Sequence, residues 1–154
     1  MKTLTWKLVA PLTIISFVIC TKWWYVSVDG FDEILTGFPL PYICPCWHTS
    51  MCSQIFVSGL IIDLLTYFSF WLILIFLINQ FVATIRLKKI MTIILLSLSG
   101  LLSLGLILIG SLSDNIYSWK MEFEIEKMET GYKFIWEEQK RPEFYKYHPE
   151  MKKE

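Results

Sequence analysis

The stretch QIFVSGLIIDLLTYFSFWLILIFLI, residues 54–78, decides the class of this chain. A second apolar run, IMTIILLSLSGLLSLGLILIGSL at residues 90–112, follows after a short basic hinge. At about 1.5 Å of rise per residue, a helix over either run is long enough to cross a hydrocarbon core of about 30 Å. The two runs therefore predict transmembrane helices.

A third apolar stretch, residues 8–24, follows Lys2 and Lys7. It ends with FVICTKW at residues 17–23, which does not resemble the A-x-A pattern of a signal-peptide cleavage site, so we expect an uncleaved first helix. The predicted fold class is an all-α transmembrane protein of three helices with a small extracytoplasmic β-hairpin or β-rich cap. The predicted membrane domain is 1–112, with its spans at about 8–24, 54–78 and 90–112.

The basic residues near the spans predict the orientation of the chain. Five of them lie in the N-terminal flank and in the hinge, whereas the loop 25–53 contains no Lys or Arg. Lys120, Lys127 and Lys133, in the tail close to the last span, point the other way. The positive-inside rule then places the N-terminus and the hinge in the cytoplasm and the loop outside. Three spans put the C-terminus outside as well. The basic residues concerned are Lys2, Lys7, Arg86, Lys88 and Lys89.

The tail, residues 113–154, is predicted to be extracytoplasmic and to contain strands. Apolar and polar residues alternate on both sides of Gly131, which is typical of strands with one buried face. A β-hairpin over 117–136 with a turn at Gly131 is the simplest interpretation, and a helix continuing from the last span is the alternative. The loop 25–53 offers a further strand at 24–28, so loop and tail together could form the cap.

A cluster of reactive side chains, CPCWHTSMC at residues 44–52, precedes the second long run. Thiolate and imidazole groups bind zinc and copper, although the spacing is not a standard zinc signature. In an oxidising compartment a disulfide from Cys52 to Cys44 or to Cys46 is the simpler outcome. Thiol-redox exchange is a third possibility. The candidate metal ligands are Cys44, Cys46, His48 and Cys52.

Asp63 is the only ionisable residue well inside a long apolar run. A carboxylate there costs about 2.5–3.5 kcal/mol on insertion scales, so we expect it to face another helix. The last run presents a stripe of small residues suited to close helix contact. We therefore predict that Ser99 or Ser103 bonds the carboxyl group and that Asp63 fixes helix pairing. Proton or cation handling is the alternative.

The segment GFPLPY, residues 37–42, contains two prolines that stiffen its backbone. It is interpreted as a rigid loop on the bilayer surface, or alternatively as a docking surface for a partner. The longer stretch GFPLPYICPCWHTS, residues 37–50, leads into a span with Asp63 and resembles small bacterial inner-membrane proteins of unassigned function. The resemblance implies a multi-pass protein of the bacterial inner membrane, and it assigns no role to any residue.

The sequence points away from enzymes and from nucleic-acid binding. Its net charge is zero and it has two histidines, no phosphate-binding glycine loop and no HExxH motif, so no catalytic or cofactor-binding residue is predicted. We expect a non-catalytic structural or accessory component of a membrane assembly, in contact with lipid and with a membrane-protein partner or a second copy. The alternatives are a thiol-redox or metal-handling protein using the 44–52 loop, and an oligomeric ion or proton conductor built around Asp63.

Overall fold

The computed structural model describes residues 4–28, 31–46, 52–82, 85, 87–121, 126–138, 142 and 147. Within these residues it has three helices and six strands. In chain order they are α1 (Thr5–Ile19), β1 (Cys20–Val28), β2 (Phe31–Thr36), β3 (Ile43–Pro45), β4 (Ser53–Phe56), α2 (Val57–Val82), α3 (Lys89–Gly110), β5 (Ile116–Ser118) and β6 (Glu126–Phe134). The first turns of α1 and the last turns of α2 are π-helical.

A six-stranded mixed sheet shows that the predicted all-α class is wrong. The strands are ordered β5-β4-β3-β2-β1-β6, and every neighbouring pair is antiparallel except β4 and β5, which are parallel. The first four strands come from the segment between the first and second helices, and the last two come from the tail. The sheet is therefore a major part of the fold rather than a small addition to three helices.

The first helix is shorter than predicted, because α1 ends at Ile19 and the chain continues as β1. At about 1.5 Å per residue, α1 is about 22 Å long, which is shorter than the hydrocarbon core of a bilayer. The apolar residues that follow belong to the sheet, where Trp24, Tyr25 and Val26 are buried. Aromatic and β-branched side chains fit a half-buried pleated surface, which explains why this apolar run changes from helix to strand.

The predicted hairpin over 117–136 does not form, because β5 and β6 lie at opposite edges of the sheet. Gly131 is not in a turn. It lies inside β6 and pairs with Trp23 of β1. A Cβ atom at Gly131 would stand 2.7 Å from the Trp23 indole ring, so the missing side chain makes room for that ring. The tail is therefore joined to β1 by long-range pairing.

The core of the sheet is a cluster of five buried side chains from four strands. They are Trp24, Val26, Leu35, Cys44 and Phe56, with Met121 packed against them.

Helix α1 packs against both α2 and α3. By length and composition, α2 and α3 are each apolar enough to cross a membrane, which agrees with the two long predicted runs. Most of their large apolar side chains are exposed.

Candidate functional site at the junction of helices and sheet

The loop between β2 and β3, residues 37–42, is held in a fixed conformation against the sheet. We call it the proline loop. Gly37 has φ of +151°, and a Cβ atom there would stand 2.1 Å from the Leu40 carbonyl oxygen, so the position requires glycine. The Trp24 Nε1–H donates to the Gly37 carbonyl oxygen at 2.9 Å. The start of the loop is therefore tied to the core of the sheet.

Hydrogen bonds donated by its backbone N–H groups hold the rest of the proline loop. Its two prolines have no N–H to donate. The N–H groups at its two ends bond to backbone carbonyls, Gly37 to Lys22 at 2.8 Å and Tyr42 to Thr36 at 2.9 Å. The two remaining N–H groups belong to Phe38 and Leu40, and both donate to a side chain of α2.

That side chain is Asp63, which is completely buried two turns into α2. Its carboxyl group accepts the Phe38 N–H at 2.5 Å and the Leu40 N–H at 3.2 Å. One turn earlier on the same face, a Cβ atom at Gly59 would stand 2.8 Å from the Pro41 carbonyl oxygen. Gly59 thus lets the loop approach the helix, and Asp63 supplies the acceptor that both free amides need.

Aromatic side chains surround this contact and join it to α1 and β6. Tyr67 donates its hydroxyl to the Cys20 carbonyl oxygen at 2.7 Å, where α1 becomes β1. Burial, and secondly the nearby Asp63 carboxylate, raise the pKa of Tyr42 to about 12. The rings in contact are Phe17 with Tyr42 and Tyr67, and Phe38 with Tyr67 and Tyr132. The junction therefore links the proline loop and α2 to α1, to the start of β1 and to β6.

The predicted bond from Ser99 or Ser103 to Asp63 is wrong. The Ser103 hydroxyl donates to the Ser99 carbonyl oxygen at 2.8 Å, and the Ser99 hydroxyl donates to the Leu96 carbonyl oxygen at 3.1 Å. Both bonds stay within α3, while α1 packs against α2 and α3 and so holds these faces apart. One sequence signal could have indicated the true partner. Alternating prolines leave Phe38 and Leu40 with amides that no strand pairs, and such amides need an acceptor.

The cysteine cluster contains one disulfide and one buried thiol. Cys46 is bonded to Cys52, with their Cα atoms 5.3 Å apart, which is one of the two pairings that the sequence left open. Cys44 is free and lies in the core of the sheet. Burial, and secondly the charge of Glu33, raise the pKa of the Cys44 thiol to about 11, so the thiolate is disfavoured.

Among the described residues, no group of three or more His, Cys, Asp or Glu side chains is placed to hold a metal ion. His48, the predicted fourth ligand, lies outside them. A metal site that includes His48 stays a prediction, and it would first require reduction of the Cys46–Cys52 bond.

A cavity of about 200 Å³ lies beside the junction. Its lining is mainly apolar and includes Trp24, Leu40, Pro41, Phe56 and Met121. This is smaller than the ~300–1,000 Å³ of ordinary ligand pockets. Within the described part of the chain, the junction therefore offers close packing and satisfied hydrogen bonds rather than an array of reactive groups.

Comparison with protein-family models, curated proteins and solved structures finds no match for this chain.

Proposed function

We propose that this chain is a non-catalytic, multi-pass membrane protein that serves as a structural or accessory component of a membrane assembly. The observation that carries the proposal is the pair of hydrogen bonds that the Asp63 carboxyl group accepts. Both of its carboxyl oxygens accept amides of the proline loop, so this acidic residue within the apolar helices fixes the sheet to α2. Such a contact holds a domain at a set position above its helices.

The arrangement of the elements supports a membrane location with the sheet on one side. β1 follows α1, β4 precedes α2, and β5 follows α3, so the sheet lies at one end of all three helices. The basic hinge lies at the opposite end, which supports a cytoplasmic hinge and N-terminus and an extracytoplasmic sheet and tail. The resemblance of residues 37–50 points to a bacterial inner membrane. The short α1 would cross it only together with its packing against α2 and α3.

The edge strand β6 is the surface that we assign to a membrane-protein partner or a second copy. Edge strands present backbone groups that can pair with another chain. Beside this edge, Tyr132 and Trp136 are exposed, and the Phe134 and Trp136 rings stack at 4.9 Å. Aromatic groups of this kind are common at protein contacts and at the bilayer surface.

The two alternative functions have weaker support. A conductor needs an accessible carboxylate, whereas Asp63 is buried and hydrogen-bonded to the proline loop. Thiol exchange needs a reactive thiolate next to the disulfide, whereas Cys44 is buried and its pKa is raised.

Site-specific photo-crosslinking in cells tests the proposal. A photoreactive amino acid at Thr130, which is exposed in β6, should give a discrete protein adduct. The matched control is Leu101, which is exposed on α3 and should give only lipid adducts. Asp63→Ala should weaken the Thr130 adduct, because the sheet is no longer fixed to α2. Absence of any protein adduct at Thr130 would contradict the accessory role.

A further inference from the structure

A groove of about 390 Å³ lies at the end of the helices opposite the sheet. It is formed by the beginning of α1, the hinge and the beginning of α3. Two of its lining residues are basic, Lys7 and Lys89, and Thr92 adds a hydroxyl group. The remaining walls are apolar and include Leu4, Ile85 and Ile93. The groove thus combines positive charge with an apolar surface.

Among the described residues that line this groove, none is acidic. The sequence contains no Asp or Glu in residues 1–28 or in residues 64–113, which include α1, the hinge and α3. Lys7 and Lys89 are both exposed, and α3 begins at Lys89, so the positive end of its helix dipole lies at the same place. An anion is the natural complement to this charge.

We propose that the groove binds an anionic phospholipid. The phosphate group lies between Lys7 and Lys89, and the upper part of an acyl chain lies against the apolar walls. Basic pockets between transmembrane helices on the cytoplasmic side are suited to anionic headgroups. A free phosphate ion would use the two lysines but would leave the apolar walls without a contact. The inference rests on the membrane location proposed above.

Native mass spectrometry of the detergent-purified protein tests this site. The probes are phosphatidylglycerol and phosphatidylcholine with identical acyl chains, so only the headgroup differs. We expect the wild-type protein to bind the anionic lipid more tightly. Each lysine attracts the anionic headgroup, so K7Q or K89Q should weaken binding about 5-fold, and the double variant roughly 30-fold. The matched control is K88Q, because Lys88 is exposed and adjacent but does not line the groove, and it should weaken binding much less.

Three results would overturn the inference. The first is equal binding of the two lipids by the wild-type protein. The second is an equal loss in K88Q and in the double variant, which would indicate a diffuse surface charge. The third is displacement of the anionic lipid by millimolar inorganic phosphate, which would indicate a site for a free anion. Reconstitution into nanodiscs separates this inference from the proposed function. A protein that does not insert contradicts both, whereas one that inserts without a headgroup preference contradicts only the lipid site.

Discussion

Replacement of Asp63 by alanine should destabilise the protein strongly, because it removes the acceptor of two amides at once. An orphaned buried donor costs about 1–3 kcal/mol. The half-buried Phe38 N–H should incur the upper part of that range. The Leu40 N–H should incur about 1 kcal/mol, because Leu40 is 45% exposed and water can reach it. We therefore expect a loss of about 3–4 kcal/mol in the free energy of unfolding.

Asp63→Asn should lose about half as much, because it keeps one oxygen acceptor and places an NH₂ group opposite the other amide. The matched control is Ser99→Ala, since its hydroxyl bonds only within α3, and it should lose less than about 1 kcal/mol. Unfolding in mixed dodecyl maltoside and dodecyl sulfate micelles, followed by circular dichroism and tryptophan fluorescence, measures all three. Equal losses in Asp63→Ala and Ser99→Ala would refute the assignment of Asp63 to the proline loop.

Three further predictions concern the junction and the cysteines. Gly59→Ala should lower the free energy of unfolding by about 1–3 kcal/mol, because its Cβ atom meets the proline loop. The control Gly100→Ala should raise it by up to ~1 kcal/mol, because a Cβ atom there has nothing within 4 Å. An increase for both variants in the same unfolding assay would contradict this prediction. The ordinary pKa of a cysteine thiol is about 9, and burial raises the pKa of Cys44 to about 11. Above about pH 9 the thiol ionises more readily in the unfolded state, so its contribution to the stability of the folded state is lost as the pH rises to about 11. Wild-type protein should therefore lose about 1–2 kcal/mol relative to Cys44→Ala over that range in thermal unfolding, and parallel profiles would rule this out. Alkylation of the denatured protein without reductant should add two groups, because Cys46 and Cys52 are bonded, and four adducts would exclude the disulfide.

The long apolar helices could be predicted from the sequence, because an apolar run of that length has few other structures. The structure confirms two helices long enough to cross a membrane, Val57–Val82 and Lys89–Gly110. The stretch 8–24 misled the prediction because apolar strands and short apolar helices have the same composition. The pairing of β1 with β6 joins segments about a hundred residues apart in sequence, and no local pattern reports such a contact.

The candidate site could be predicted only in its parts. Asp63 and the proline loop were each visible in the sequence, one as an isolated charge and the other as alternating prolines. Their contact was missed because a polar residue in an apolar run suggests a partner in another helix. The actual partner is a pair of backbone amides, and those amides carry no side-chain signature. The turn predicted at Gly131 was wrong for a similar reason, since a glycine in a polar tail suggests a turn as readily as close approach to an aromatic ring.

Labelling with a membrane-impermeant thiol reagent tests the central claim most directly. Single cysteines at Lys120, beside the sheet, and at Lys88, in the hinge, are introduced into a Cys20→Ala, Cys44→Ala background that keeps the disulfide. In right-side-out vesicles we predict labelling at position 120 only, and in inverted vesicles at position 88 only. Labelling of both positions from the same side, or recovery of the protein without membranes, would contradict a membrane protein with its sheet outside and its hinge inside.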